Sequence, residues 1–305
     1  MERSPDIPIW VWKAALALAA AIWGGAFVVV KGALDDVPPA WMLAMSFSAT
    51  AFILCIVFHR RLKEHLDVDH VRKGIVLGLF SGPAFVAQFV GLADTTPGKS
   101  AFITAIYCVL VPFLNWIVAR RRPQGIHLVA AVLAVAGIGC ISFGEVSSAA
   151  LSRGDSITLA CAVLFALHIV YVARYAQGRD IMTLTIVQIA VSAVISLIWA
   201  LAFEQVPAPG ALGPCFWVSL AYLVILSSCV AMVVQNVAQS IVEPATAALL
   251  LSLESVFAVV FSVIFSHEDL TMRLVAGFAL IFLAILASEV LPTILGKQAA
   301  GERAS

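Results

Sequence analysis

The chain has 305 residues, of which 62% are hydrophobic and 12% are charged, and its formal net charge is zero. Soluble domains carry about twice that share of charge, and a globule of this size cannot hide so much apolar surface from water. The composition therefore excludes an ordinary soluble protein, and the balanced charge gives no indication of nucleic-acid binding.

Apolar segments follow one another along the chain, separated by short connections rich in charge, Pro and Gly. A membrane-spanning helix needs roughly 20 apolar residues to cross about 30 Å of hydrocarbon. The longest connection is the charged segment 59–73, which leaves no room for a separate soluble domain. The sequence predicts an all-α integral membrane protein with ten transmembrane helices, over residues 11–31, 40–58, 74–93, 99–119, 126–143, 155–173, 182–203, 214–239, 245–266 and 273–291.

The lysines and arginines are distributed unevenly between the two sides of the membrane. With a cytoplasmic N-terminus, 14 of the 18 lie in the cytoplasm, and only Lys31, Lys99, Arg153 and Arg273 lie outside. Cytoplasmic loops are enriched in Lys and Arg. We therefore expect a multi-pass protein of a bacterial inner (plasma) membrane with both termini in the cytoplasm.

A sparse internal repeat relates the two halves of the chain. Five crossings per half is an odd number, so the second half must enter the membrane from the side opposite to the first. The sequence thus predicts two inverted repeats, residues 1–147 and 148–305, an architecture that recurs in secondary transporters. A shift of 147 residues places Gln88 on Gln235, Val90 on Val237, Pro97 on Pro244 and Ala101 on Ala248.

Three segments carry motifs that extend this prediction. They are Ile22–Phe27 (IWGGAF), Gly91–Pro112 (GLADTTPGKSAFITAIYCVLVP) and Pro244–Ala287, which contains the loop residue Glu268. Together they resemble the EamA family of the drug/metabolite transporter (DMT) superfamily, over nearly the whole chain. Glu268 matches a recurrent loop glutamate of that family.

Two positions depart from the family pattern. Ser255 stands where proline often follows the Leu-Glu pair, and Arg121-Arg122 stand where the first repeat often has glutamate. The resemblance implies ten helices and a central cavity lined mainly by spans 1, 3, 4, 6, 8 and 9. It also implies movement of amino acids, related metabolites or toxic analogues, commonly as export.

Glu254 is the first candidate for the central site. Ionisable groups inside a bilayer cost roughly 2.5–3.5 kcal/mol at a helix centre and are functional candidates by default. Glu254 lies near the middle of span 9, and the repeat shift pairs it with Tyr107 in span 4. It is a candidate to bind a substrate ammonium or to carry a coupling proton. The alternative is a protonated, hydrogen-bonded packing residue.

His168 is the second candidate for proton coupling and also for substrate binding. It lies in span 6 on one helical face with Tyr171, a further candidate substrate contact. Histidine is the side chain that changes charge near neutral pH, and it can donate a hydrogen bond to a carboxylate. The alternative is a packing histidine with satisfied hydrogen bonds.

Polar and aromatic side chains of spans 1, 3, 4 and 8 complete the predicted substrate site. Gln88 and Gln235 are repeat equivalents whose amides donate and accept, although such amides also hold helices together for about 0.6 kcal/mol each. Thr104 shares one face of span 4 with Tyr107, and Trp23 is a candidate aromatic wall.

The resulting hypothesis is a secondary transporter that moves a small solute by alternating access. No P-loop GxxxxGK[ST] occurs in the sequence, and proton coupling stays open. The expected partners are a small-molecule solute and the lipid bilayer, with protons and a monomeric or homodimeric state left open. We expect no nucleic acid, no cofactor and no metal, because no spacing of Cys or His matches a known metal site.

Two other classes of protein remain as alternatives. An intramembrane enzyme acting on lipids or metabolites would need a clustered nucleophile and base, whereas the polar groups here are scattered. A channel is less well supported, because the loops are short and no repeated pore-lining charge is present. The sequence favours a protein that is not an enzyme.

Overall fold

A computed structural model describes residues 8–34, 36–120, 122–123, 125–142, 152–208, 212–242 and 244–290. Throughout these ranges the regular secondary structure is helical, with no strands. The helices are α1 (Ile9–Ala33), α2 (Pro39–Val57), α3 (His59–His65), α4 (Val68–Ala93), α5 (Pro97–Ala105), α6 (Tyr107–Ala119), α7 (Gly125–Ser142), α8 (Arg153–Tyr175), α9 (Ile181–Phe203), α10 (Pro214–Ala221), a π-helix (Tyr222–Met232), α11 (Val233–Gln239), α12 (Pro244–Phe265) and α13 (Met272–Glu289).

Every predicted apolar segment is helical where it is described. Within the described residues, α7, α12 and α13 contain the shorter apolar stretches Gly125–Cys140, Leu249–Phe265 and Met272–Ala287. The predicted half boundary at 147/148, both chain termini and Arg121 lie outside the described residues. Seven helices are long and apolar enough to cross a membrane: Ile9–Ala33, Pro39–Val57, Val68–Ala93, Pro97–Val118, Arg153–Tyr175, Ile181–Phe203 and Pro214–Gln239.

The charged connection 59–73, which the sequence predicts as a loop, is mostly helical. It contains the short helix α3, and α4 begins at Val68 rather than at residue 74. Asp67 explains the early start, because its side chain accepts a hydrogen bond from the backbone N–H of His70 at 2.8 Å. Such an N-cap stabilises a first turn whose side chains are polar, and hydropathy alone does not detect it.

Predicted span 4 is interrupted at Ile106, between α5 and α6. The backbone tightens there, since Ile106 N–H donates to the Ile103 carbonyl three residues earlier, at 3.3 Å. Pro112 inside α6 also removes one helical N–H. The interruption places Thr104 just before the break and Tyr107 just after it.

Predicted span 8 is also irregular, because an 11-residue π-helix lies between α10 and α11. π-Helical turns are rare and occur frequently at functional sites. The corresponding span of the first half, α4, is a regular α-helix that contains Pro83.

Helices α4 and α9 run parallel and in close contact. Glycines 74, 78 and 82 of α4 face residues 187, 191 and 195 of α9 in the same order. A Cβ added at Gly78 would lie 2.5 Å from the Cβ of Val191. This stripe of small residues lets the two backbones approach closely, as is common between membrane helices.

Other helix pairs have defined directions as well. Helices α4 and α8 are antiparallel, because Phe85 packs edge-on against Phe165 with centroids 4.9 Å apart, while Gly91 lies against Thr158. Helices α1 and α12 pack along each other, as α8 packs against α5 and α6. The first pair joins spans 1 and 9, and the second joins spans 6 and 4. The packing is thus preserved when the two halves are exchanged.

Candidate functional site

A cavity lies between the two halves of the described structure. Its empty space is about 930 Å³, including the part open to solvent. Both halves contribute to its wall, through α1, α2, α4, α5, α6, α8, the π-helix, α11 and α12. The wall is mainly apolar with a few polar groups, a composition suited to a small organic solute.

The cavity brings together residues that are far apart in the sequence. Tyr171 is not among the lining residues: its ring stacks on Phe80 with centroids 5.1 Å apart and packs edge-on against Tyr175 at 5.5 Å. The crossing of α8 over α4 directs Tyr171 into that aromatic cluster. Seven of the eight predicted substrate contacts line the cavity: Trp23, Gln88, Thr104, Tyr107, His168, Gln235 and Glu254.

Glu254 and Tyr107 meet at this cavity. The side chains of Tyr107 and Glu254 are neighbours, and the two residues are only 5% and 7% exposed, in that order. Glu254 comes from α12 and Tyr107 from the first turn of α6, at positions related by the repeat shift. An acidic group and a phenol hydroxyl therefore lie side by side between the two halves.

Glycine allows α1 to reach this pair. A Cβ at Gly24 would lie 2.9 Å from the Glu254 carbonyl oxygen and 2.6 Å from the Cβ of Phe257. A Cβ at Gly25 would lie 2.6 Å from the Tyr222 hydroxyl. Any larger side chain would push α1 away from α12 and from the π-helix, so the glycine pair sets the width of the cavity.

Two hydrogen bonds attach the π-helix to α1. The Trp23 indole N–H donates to the Ser227 carbonyl at 3.1 Å, and the Tyr222 hydroxyl donates to the Ile22 carbonyl at 2.6 Å. Trp23 is therefore both part of the cavity wall and a tie to the π-helix. The sequence predicted Trp23 only as an aromatic wall of the cavity and not as a hydrogen-bond donor to the π-helix.

Gln88 makes a polar contact across the cavity wall. Its amide N–H₂ donates to the Thr104 hydroxyl at 3.4 Å. Gln235, its repeat equivalent, lines the cavity from α11 and is 8% exposed. The amide pair thus flanks the cavity from spans 3 and 8.

Several lining residues have no signal in the sequence. Ser46 and Phe47 come from α2, a span outside the six that the family resemblance implies, and Ser227 and Ser228 come from the π-helix. A serine in an apolar helix is too common to stand out. Only the packing of α2 against the π-helix brings these side chains to the cavity.

Acidic side chains join the halves at one end of the bundle. Glu204, after α9, accepts hydrogen bonds from the N–H groups of Ala40 and Trp41 at 3.0 and 3.1 Å. Burial raises the pKa of Glu204 above its usual value, although these two amides oppose the shift. Glu268 accepts from Thr96 Oγ1 and from the Gly98 N–H, so it caps α5.

Ion pairs join the halves at the opposite end. Arg61 Nε lies 2.7 Å from Asp180 Oδ2, and Arg179 Nε lies 2.6 Å from Asp69 Oδ2. Burial raises the pKa of Asp180, but hydrogen bonds from Thr183 and Arg61 outweigh it and leave that pKa below its usual value. Each end of the bundle therefore has its own set of contacts between the halves.

Comparisons with known proteins agree with this architecture. The EamA-like transporter family matches residues 10–143 and again residues 152–288. An "uncharacterized transporter" of Archaeoglobus fulgidus is 31% identical over 275 residues, covering 89% of this chain and 83% of the relative. The "uncharacterized transporter YoaV" of Bacillus subtilis is 22% identical, over 85% of this chain and 90% of the relative.

A solved crystal structure has the same fold. It aligns with a TM-score of 0.65 at 17% sequence identity, over 93% of this chain and 98% of that one. The two family matches, one in each half, confirm the resemblance drawn from the sequence motifs. The chain is a multi-pass membrane protein that belongs to the EamA-like transporter family of the DMT superfamily.

Proposed function

We propose that the protein is a secondary transporter that moves a small metabolite across a bacterial inner membrane by alternating access. The solute class is an amino acid, a related metabolite or a toxic analogue, and the direction is export. The observation that carries this proposal is the cavity between the halves, where Tyr107 and Glu254 meet from repeat-related positions. In an inverted-repeat carrier the solute site lies at such an interface.

The directions of the helices support ten crossings in two inverted halves. Helices α4 and α9 are parallel. The chain between them must therefore cross the membrane an odd number of times. That count requires α7 to cross. The antiparallel pair α4 and α8 gives the same result, with residues 1–147 and 148–305 as the two repeats.

The polar groups of the cavity suggest distinct roles. Glu254 binds a cationic group of the solute or carries a coupling proton, and Tyr107 orients its carboxyl. His168 offers a donor to an anionic group and is the second candidate for proton coupling. Gln88, Thr104 and Gln235 supply neutral hydrogen bonds.

The remaining features of the proposal concern sidedness. The lysine and arginine distribution places the turn at residues 176–180 and the charged segment 59–73 in the cytoplasm, together with both termini. Glu204 and Glu268 then lie at the outer end of the bundle. The ion pairs of Arg61 and Arg179 lie at the inner end.

Counterflow in proteoliposomes tests the proposal. Vesicles containing the purified protein are loaded with single unlabelled amino acids, and uptake of the same labelled amino acid is followed. Saturable, protein-dependent counterflow is expected for at least one solute of this class. Flux that rises linearly with concentration would identify a channel, and chemical conversion of the solute would identify an enzyme.

A further inference from the structure

Beside the cavity lies a group of buried polar atoms to which the proposed function gives no hydrogen-bond partner. His168 Nε2, both side-chain polar atoms of Gln188 and Asn236 Oδ1 have no hydrogen-bond partner within the described part of the protein. These residues are 4%, 0% and 1% exposed, in that order. Buried polar groups in native proteins are nearly always hydrogen-bonded, so such a group needs an explanation.

The unpartnered atoms belong to side chains at neighbouring positions. The side chains of His168 on α8 and Gln188 on α9 are neighbours, yet they do not reach the geometry of a direct hydrogen bond. Asn236 Nδ2 donates to Thr185 Oγ1 at 2.7 Å, and Thr185 lies one turn before Gln188 on the same face of α9. Asn236 is therefore attached to α9 one turn away from Gln188.

The chemistry of these atoms specifies what fits between them. Gln188 offers two N–H donors and one oxygen acceptor, Asn236 offers an oxygen acceptor, and the His168 nitrogen can donate or accept. All of these groups are neutral when His168 is neutral, which favours a small uncharged molecule over an ion. Polar neighbours that stand just beyond hydrogen-bond distance are commonly bridged by water, which makes about three hydrogen bonds when buried.

We propose that His168, Gln188 and Asn236 form an enclosed water-binding site between α8, α9 and α11. His168 also lines the cavity, so this water connects the cavity wall to the interior of the second half. A hydrogen bond to Nε2 fixes the tautomer and orientation of the imidazole. His168 is then presented to the solute as a positioned group.

Thermal unfolding of the detergent-purified protein, without added solute, tests this inference. Gln188→Met keeps the length of the side chain and removes its polar atoms. If water binds there, the variant loses hydrogen bonds and its Tm falls by about 2–5 °C. If no water binds there, the variant removes a buried amide that has no hydrogen-bond partner, so Tm stays unchanged or rises. That result overturns the proposal.

Ser196→Ala is the matched control. Ser196 lies two turns further along α9, is fully buried and also has an unpartnered hydroxyl, but it has no neighbour among the three residues of the site. We expect its Tm to stay within about 1 °C of the parent or to rise, because removal of an unpaired buried hydroxyl costs little.

A double-substitution cycle separates loss of water from poor fit of methionine. Tm is measured for His168→Leu alone and combined with Gln188→Met. If one water bridges both residues, Gln188→Met lowers Tm by less in the His168→Leu protein than in the parent protein. Additive shifts overturn the proposal. Neither measurement depends on transport, so a failure of counterflow would refute the proposed function without affecting this site.

Discussion

Glu254 lies in the cavity at the point where α1, α6 and α12 meet, beside Tyr107. A buried carboxyl in a mainly apolar wall is poorly stabilised when ionised, because a buried charge needs several partners. A bound cation or a bound proton would each relieve that cost. The residue is therefore suited to hold one of them and to release it when the cavity is hydrated.

Replacement of Glu254 by Gln tests this role. The amide keeps the shape of the side chain but cannot ionise, so saturable counterflow should fall about tenfold or more. The remaining flux should lose its dependence on pH. Counterflow measured across the neutral pH range gives both quantities.

Glu64→Gln serves as the control for that measurement, because Glu64 lies on α3 and is exposed. It should leave the rate and its pH profile unchanged. A Glu254→Gln protein that retains the parental pH profile would refute the proton role. A parental rate would also refute the solute contact.

Among the helices, the pair formed by α4 and α9 shows most directly how sequence creates a close contact. Gly74, Gly78 and Gly82 recur every four residues and so lie on one face of α4. Lipid supplies no hydrophobic driving force between helices, so their association depends on close packing. Ser81 and Ser192 add a hydrogen bond of 2.9 Å at the same interface. This pair holds span 3 of one half against span 7 of the other.

Gly78→Val tests the importance of that contact. The added Cβ would lie 2.5 Å from the Cβ of Val191, and the helices must separate to accept it. Overpacking of this kind typically costs 1–3 kcal/mol, so we expect Tm to fall by about 5 °C or more. Gly32→Ala is the control, since a Cβ at Gly32 meets nothing within 4 Å. Equal Tm values for the two variants would contradict this account.

At the scale of the whole molecule, the topology depends on whether each half crosses the membrane an odd or an even number of times. Seven of the described helices qualify as membrane spans by length and composition, and this number by itself does not fix the topology. The parallel course of α4 and α9 adds the missing constraint. In the proposed topology, an odd number of crossings in each half puts the ends of corresponding spans on opposite faces, as in secondary transporters built from inverted repeats.

Labelling of single cysteines tests this topology in cells. In a cysteine-free background, cysteines at Glu64 and Gln177 should react with a membrane-impermeant maleimide only after the inner membrane is permeabilised. A cysteine at Asp269 should react without that treatment, because three crossings separate it from Gln177. Opposite labelling of Glu64 and Gln177 would mean that α7 does not cross. Equal labelling of Gln177 and Asp269 would refute the inverted arrangement.

The sequence by itself determined the class of protein, the positions of the apolar helices and several of the polar residues that line the cavity. It could do so because apolar length and intramembrane polarity are local properties of a chain in a bilayer. Glu254, Tyr107 and Gln88 stand out for that reason. The repeat shift by itself also relates Tyr107 to Glu254.

Only the tertiary structure decided how these helices are shaped and which faces meet. The break at Ile106, the π-helix at residues 222–232 and the early start of α4 depend on individual hydrogen bonds of backbone N–H groups, which leave no mark in hydropathy. Tyr171 shares a helical face with His168 but lies in an aromatic cluster with Phe80. Its surroundings depend on where α4 crosses α8, and helix crossings are set by packing between segments distant in the sequence.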